Sequence, residues 1–249
     1  MSGMHTYLLK IGPDMLVGDW AKPIDRRIAA SLPVLGVRLR LQDVAYFMSD
    51  VLLPPLLANR RRPLHFVNIA GGPGIDSMNA LILLEKNAPG IMAERQVSID
   101  VLDIDVEGPA FGKRALRALM GEDGPLHSMQ IDFRHFHYNW ATPSDLEPVL
   151  RDAHAEGAVV ICSSEGGLFE YGTDPEIEAN IKALRASPDV LAIVGSVLRA
   201  DEPTERMLEM SPVPVRPRGL EVFRCLVQKA GWHVAHVVQR PFSDQFVLT

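Results

Sequence analysis

Three features of the 249-residue chain predict an α/β protein built on a seven-stranded, doubly wound and mostly parallel sheet. From about residue 64 onward, short apolar runs alternate with segments of helical period, the mark of repeated strand–helix–strand units. The first run, His65-Phe66-Val67-Asn68-Ile69, breaks into Ala70-Gly71-Gly72-Pro73-Gly74. Met78, Leu81, Ile82 and Leu84 follow at helical spacing, so a strand delivers a glycine turn to a helix start. The last two runs, 233–238 and 244–248, are joined by a link too short for a crossover helix, so they must form an antiparallel hairpin.

Composition sets the outer bounds. With 47% hydrophobic residues, a chain of this length buries a large core. The expected organisation is a helical N-terminal cap over residues 1–62 and a main domain over residues 63–249. A net charge of −6 and a pI near 5.7 offer no general attraction to nucleic acid or an anionic membrane. Arg60-Arg61-Arg62 is locally basic but lacks interleaved aromatics, and reads as a solvated loop before a strand. The two cysteines, Cys162 and Cys225, make neither a disulfide framework nor a zinc spacing. No signal-peptide pattern starts the chain and no run approaches the roughly 18 apolar residues of a membrane span. A reducing cytoplasm is the expected location, and a homodimer stays open as an assembly.

Within the cap, Lys22-Pro23 suits a helix entrance, with a helix over 24–31 ended by Pro33. Leu41, Val44, Ala45, Met48, Val51 and Leu52 then line one helix face, which Pro54-Pro55 are expected to stop. That face must pack on something, so the segment reads as leaning over the site of the main domain. Tyr7, Trp20, Tyr46 and Phe47 are either pocket walls or ordinary core aromatics. In the main domain a second strand spans 97–103, and a helix over 113–120 is closed by Gly121. A third strand follows over 129–137. Ser144-Asp145-Leu146-Glu147 has capping-box spacing and begins a helix to about residue 155. The continuous apolar run 157–162 is a strand of the kind buried on both faces. Thr173-Asp174-Pro175-Glu176 opens a helix through 185, a fifth strand covers 190–197, and a helix over 220–229 ends at Gly231 after a proline-rich connection.

In such sheets ligands bind beyond the carboxyl ends of the strands, near the switch point. Four stretches gather there: Ala70 to Gly74, Asp103-Ile104-Asp105, Tyr138-Asn139-Trp140, and Cys162-Ser163-Ser164-Glu165-Gly166-Gly167. The glycine-rich stretch 165–172 marks the substrate side, with Glu165, Glu170 and Tyr171 as its polar groups. A glutamate there serves as a base or shapes the loop. His135 and His137 share a strand face without a third ligand, which favours packing, and Cys162 reads as a small buried hydrophobe.

Together these residues resemble the class I S-adenosylmethionine-dependent methyltransferases over about residues 64–249. The resemblance implies that Ala70, Gly71, Gly72, Pro73 and Gly74 hold the methionine part of S-adenosylmethionine, that Asp103 bonds the ribose and that Ile104 packs on the adenine. It further implies that Asn139 and Trp140 hold the adenine amine and ring, and that Ser163, Ser164 and Glu165 border the reacting methyl group. Asn68 and Asn139 stand where the family commonly carries acids. The implied reaction is methyl transfer to a small-molecule acceptor. Two alternatives stay open: a non-catalytic cofactor-binding protein with a degraded site, and an NAD-dependent oxidoreductase, against which Ser77 stands in place of the third glycine.

Overall fold

The computed structural model describes residues 9–210 and 214–249. Its sheet contains β1 (Leu64–Ile69), β2 (Gln96–Asp103), β3 (Gln130–His137), β4 (Val159–Ser164), β5 (Val190–Leu198), β6 (Val234–Gln239) and β7 (Ser243–Leu248). The order is β3-β2-β1-β4-β5-β7-β6. β1 pairs in parallel with β2 and β4, and the switch point lies between those neighbours. β7 runs antiparallel to both β5 and β6, as the short final link requires.

Helices cover both faces, because strands such as β1 and β4 are buried throughout and need an apolar layer on each side. On one face α5 (Glu147–Ala155), α7 (Asp174–Arg185) and α9 (Gly219–Lys229) enclose a core with Val67, Cys162, Phe169, Phe223, Trp232 and Phe246. On the other face α2 (Leu32–Ala58), α3 (Ile75–Asn87) and α4 (Glu107–Leu119) pack over Phe66, Ile99, Ile161, Val194 and Val247. A short α1 (Pro23–Ala29) precedes them, and α6 (Leu168–Tyr171) and α8 (Glu202–Met210) are further helices not anticipated from the sequence. No helix among the described residues is long and apolar enough to cross a membrane.

Several sequence expectations need correction. Pro54-Pro55 do not stop the second helix; α2 continues to Ala58. Both Leu52 and Leu56 are fully buried, and that packing outweighs the backbone hydrogen bonds the prolines forgo. Beyond them Arg95 closes the helix, donating from Nη2 to the Leu56 and Asn59 carbonyls at 3.1 and 3.0 Å. Val44, Phe47, Met48 and Leu52 of α2 lie in the same core as the sheet, so the core runs across the expected boundary at residue 62. Phe47 is thus a core aromatic, edge-on to His236, while Tyr46 is exposed. Tyr7 and the Trp20 side chain lie outside the described residues.

The box at Ser144 does not form either. Pro143–Leu146 is a tight 3-10 turn, and α5 starts at Glu147 with no side chain capping it. By contrast, the Thr173–Glu176 box forms in both directions, with Thr173 N–H donating to Glu176 at 2.7 Å. Strand four sits two residues later than expected at each end, since Gly157 adopts φ +64 and belongs to the preceding turn. α4 begins before residue 113 because Asp105 accepts the Glu107 and Gly108 amides. Arg62 leaves the basic run to bond the Gly157 and Ala158 carbonyls.

A buried polar group crosses the β1–β2–β3 strip. The Asp100 carboxylate accepts two bonds from Arg134, at 2.6 and 2.8 Å, and stands 3.4 Å from His65 Nδ1, whose other nitrogen meets Glu156 at 2.8 Å. Burial alone lowers the His65 pKa, but the bonds to Asp100 and Glu156 outweigh it and hold the imidazolium above the ordinary 6.5. For Asp100, burial is outweighed by His65 and Arg134, which hold the carboxyl below its usual range. A histidine raised on folding contributes stability fully below its ordinary pKa and loses it as pH climbs through the folded value. Urea midpoints are therefore expected to fall as pH rises above about 6.5, and His65→Asn should flatten that limb. An equally steep limb in the variant would remove His65 as its source.

Candidate functional site

The glycine turn is shaped by what lies under it. Ala70, Gly72 and Gly74 take left-handed φ values of 53, 52 and 63; for Ala70 this costs about 1–2 kcal/mol, held by its N–H bond to Leu102 O at 2.8 Å. At Gly71 a Cβ would stand 2.3 Å from that of Asn68, so the turn folds directly onto the end of β1. Asp103 ties the turn to β2: its Oδ2 accepts the Gly72 amide at 2.8 Å and its Oδ1 the Asp105 amide at 2.9 Å.

Beneath this turn is a closed polar network. Asn68 Nδ2 donates to both Asp76 oxygens at 3.2 and 3.1 Å and to Ser163 Oγ at 2.5 Å, while Ser77 Oγ donates to Asn68 Oδ1 at 3.0 Å. Ser163 in turn donates to Asp76 at 2.6 Å. Burial pushes the Asp76 carboxyl above its usual range, with Ser163 acting against it. Asn68 and Ser163 therefore spend their polar atoms on supporting the turn. Asp76, one residue into α3, brings a carboxylate against Asn68, a proximity that the sequence alone does not display.

Over the ends of β1, β2 and β3 opens a cleft of about 130 Å³, lined by Ala70, Leu102, Asp103, Ile104, Tyr138, Asn139 and Trp140. Ile104 is 61% exposed, an apolar side chain offered to the cleft mouth. The β3 end is pinned from behind: Tyr138 donates to Asn180 Oδ1 at 2.5 Å, and Asn180 Nδ2 donates to Trp140 O at 2.7 Å. Burial raises the Tyr138 hydroxyl pKa, which keeps it a donor. Asn139 Oδ1 accepts the Ala141 amide at 3.0 Å. A larger cavity, about 610 Å³, lies between α5 and α7 and shares no lining residue with the cleft. The cleft has the converging polar groups that mark a site.

On the far side of β1, the β4 loop is held by charge. Arg40, on the buried face of α2, donates from Nε to Glu165 at 2.6 Å and from Nη1 to Glu170 at 2.7 Å. Lys10 also pairs with Glu165, and Ser196 Oγ donates to Glu170 at 3.0 Å. Burial works against a charged Glu165, but Lys10 and Arg40 outweigh it and hold the carboxyl below its usual range. Glu170 is pushed up, chiefly by burial. Among the described residues neither glutamate side chain bonds a backbone amide; Lys10 and Arg40 take Glu165, and Arg40 and Ser196 take Glu170. Ser164 Oγ accepts the Leu168 amide and starts α6. At Gly167 a Cβ would lie 2.6 Å from that of Ala70, so this loop packs on the glycine turn. Tyr171 is 39% exposed, its hydroxyl pKa raised by burial and by Glu170. Cys162 is fully buried and its thiol is pushed up by burial, as suits a core residue.

The structure thus gathers Ala70, Gly71, Gly72, Pro73, Gly74, Asp103, Ile104, Asn139 and Trp140 over the ends of β1, β2 and β3 and sets Glu165 and Glu170 in an ion cluster beyond β1. Sequence reasoning missed Lys10, Arg40, Asp76 and Ser196. Arg40 had a signal: it lies four residues before Val44 on the apolar face of its helix.

No family model matches the sequence, and no curated protein matches it. Solved structures do. An O-methyltransferase family protein from Burkholderia thailandensis is similar with a TM-score of 0.50 at 15% identity, covering 92% of this chain and 61% of that one. An O-methyltransferase from neocarzinostatin biosynthesis, solved with S-adenosylmethionine and 2-hydroxy-5-methyl naphthoic acid, gives 0.45 at 16%, covering 90% and 60%. Human N-acetylserotonin methyltransferase in complex with S-adenosylmethionine gives 0.44 at 13%, covering 84% and 55%. This chain spans between 55% and 61% of the length of those proteins, and at such identities the likeness is one of fold. Its sheet order, its reversed β7 and the first of these matches establish the class I S-adenosylmethionine-dependent methyltransferase fold.

Proposed function

We propose that the protein binds S-adenosylmethionine and transfers its methyl group to a small-molecule acceptor. One observation carries the reading: the cleft over the ends of β1, β2 and β3 is walled by Ala70 of the glycine turn, by Asp103 and by the β3 end together, and Asp103 holds the turn through the Gly72 amide. The residues fit the cofactor's nucleoside half. Each Asp103 oxygen accepts one backbone amide and keeps a lone pair for a ribose hydroxyl. Ile104 and Trp140 offer apolar surface to the adenine, Asn139 Nδ2 is a donor for a ring nitrogen, and Asn139 Oδ1, which also accepts the Ala141 amide, keeps a lone pair for the adenine amine. Gly71 and Gly72, without Cβ atoms, admit the methionine half with Ala70, Pro73 and Gly74. At about 130 Å³ the cleft is well short of the roughly 300 Å³ at which ligand pockets begin, so it must widen to admit the whole cofactor. Asn68, Ser163 and Ser164 are positioning residues that fix the turn and the loop.

The cofactor, when bound, supplies a methyl group on a sulfonium, a good leaving group. The chain's task is then alignment and exclusion of water. Tyr171, 39% exposed at the end of α6, is the member of the predicted catalytic set left outside the ion cluster, and its protonated hydroxyl would orient an acceptor by hydrogen bonding. Glu165 and Glu170 act through Arg40, holding α2 and the loop together. Their ion-paired state also favours a second reading, a cofactor-binding protein without catalysis. An NAD-dependent oxidoreductase fits less well, since the reversed β7 departs from the all-parallel order of such sheets.

Calorimetric titration with S-adenosylmethionine, S-adenosylhomocysteine and NAD tests the reading. The first two should bind and NAD should not. Asp103→Ala should weaken S-adenosylhomocysteine about tenfold to a hundredfold, the ~1.5–3 kcal/mol of a charged hydrogen bond. Because Asp103 also holds the turn, Trp140→Ala serves as the second variant; its side chain leaves that turn untouched. Binding of NAD alone, or unchanged affinity in both variants, would overturn the assignment. Turnover of an acceptor in a metabolite screen, lost in Tyr171→Phe, separates the catalytic from the binding-only reading.

A further inference from the structure

We propose that Arg218, the residue just before α9, is a positioning residue for the acceptor side of the site: it grips α6 by its backbone carbonyls and so fixes where Tyr171 stands, a role that rests on the methyl-transfer reading above.

α6 cannot hold its own shape. Its four residues make about one turn, far short of the roughly 12 that an isolated helix needs. The N-terminal end is met from within the loop, where Ser164 Oγ accepts the Leu168 amide at 2.9 Å. The C-terminal end is not. Leu168 O accepts the Gly172 amide at 2.9 Å, but the Thr173 amide, which would continue the helix onto Phe169 O, is turned to Glu176. The carbonyls left over need donors from elsewhere. Residues 216–218 supply them: Arg216 N–H donates to Glu170 O at 2.7 Å, Arg218 Nη1 to Phe169 O at 2.7 Å and Arg218 Nη2 to Gly172 O. A cation thus stands at the end of the helix where the peptide dipoles favour one.

Arg218 is itself anchored. It is 8% exposed, and its Nε donates to Oδ1 of Asp174, the first residue of α7, at 2.7 Å. One planar guanidinium therefore reaches two carbonyls and a carboxylate at once, which a lysine ammonium does not reproduce. Arg40 and Ser196 hold the same short helix in another way, through the Glu170 carboxylate. Tyr171 follows Glu170 directly, so the bonds to Phe169, Glu170 and Gly172 fix its backbone on both sides. The cleft assigned to the nucleoside is lined by neither α6 nor Arg218, which lets the two halves of the site be tested apart.

Amide-resolved hydrogen exchange on the full chain tests the grip. In Arg218→Gln the Glu170, Tyr171 and Gly172 amides should exchange at least about tenfold faster, with those of Val160 and Ile161 in β4 unchanged, because the opening is local. Arg218→Lys should recover part of the protection. Should Arg218→Gln fail to fold, Asp174→Asn, at a half-exposed side chain, loosens the same anchor and should give a smaller increase at the same three amides. S-adenosylhomocysteine affinity should stay within about threefold of the parent in Arg218→Gln. With an acceptor from the metabolite screen, kcat/KM for that acceptor should fall while the KM for S-adenosylmethionine holds. Unchanged exchange at the three amides, equal acceleration in β4, loss of S-adenosylhomocysteine binding, or undiminished turnover beside a loosened α6 would each overturn the role. A parent chain that binds no S-adenosylhomocysteine would instead sink the methyltransferase reading, and the exchange result would still decide whether Arg218 holds α6.

Discussion

Arg40→Met is expected to cost about 3–5 kcal/mol of folding stability, the penalty for removing one partner of a buried charge cluster. The methionine keeps most of the side chain's length, so the loss is electrostatic. Glu165 would retain Lys10, and Glu170 would retain Ser196 and lose its counter-charge. Glu170 is already held above its usual range in the native protein, and removing Arg40 drives it higher. A carboxyl raised on folding binds its proton more tightly in the native state, so the folded form is favoured by acid and loses stability as pH rises from the ordinary carboxyl value through the folded one. The variant should therefore show its largest deficit at neutral pH and recover part of it on acidification, in urea titrations across that window. Arg40→Lys should recover only part, since a point charge does not bridge two carboxylates as a guanidinium does. A deficit below about 1 kcal/mol, typical of exposed pairs, would mean that water reaches the cluster and that it does not hold the loop.

That cluster also shows where the sequence stops being legible. The sheet could be read in advance because each strand is a local event: an apolar run of the right length, bounded by turn residues, with a final link too short to cross over. The glycine turn and Asp103 were legible for a related reason, since both lie at the end of a strand whose place in the sheet follows from chain order. Arg40 and Glu165 are 125 residues apart, and nothing at either position specifies the other. Asp76 meets Asn68 only because the turn brings α3 back over β1. The prolines at 54 and 55 misled for the converse reason: their local effect was correctly read, but tertiary burial of Leu52 and Leu56 was not visible in it. α8 went unread although Asp201-Glu202-Pro203-Thr204 carries a start signal, Asp201 accepting the Thr204 amide and hydroxyl.

Gly112→Ala sets helix propensity against packing, and the sign of the result decides between them. On propensity alone an alanine inside α4 gains up to about 1 kcal/mol. In the fold, however, its Cβ would stand 2.1 Å from Pro73 O, 2.8 Å from Pro73 C and 2.9 Å from Pro73 Cα. All three are backbone atoms of the glycine turn, which cannot rotate away as a side chain would. Either α4 withdraws from the sheet, opening the core around Leu116, or the turn shifts and strains the Gly72–Asp103 bond. We expect a net loss at the upper end of the ~1–3 kcal/mol typical of overpacking. Loss of S-adenosylhomocysteine binding should accompany it if the turn is what yields. Gly12→Ala, where beyond the chain neighbours no atom of the described residues lies within 4 Å of the added Cβ, is the control and should leave both properties unchanged. Calorimetry and urea unfolding on the same samples then locate the strain: stability lost with affinity intact places it in α4, and both lost together place it in the turn. Stabilisation by Gly112→Ala would show that this contact relaxes freely, and would remove the rigid support that the proposed cofactor site requires beneath Pro73.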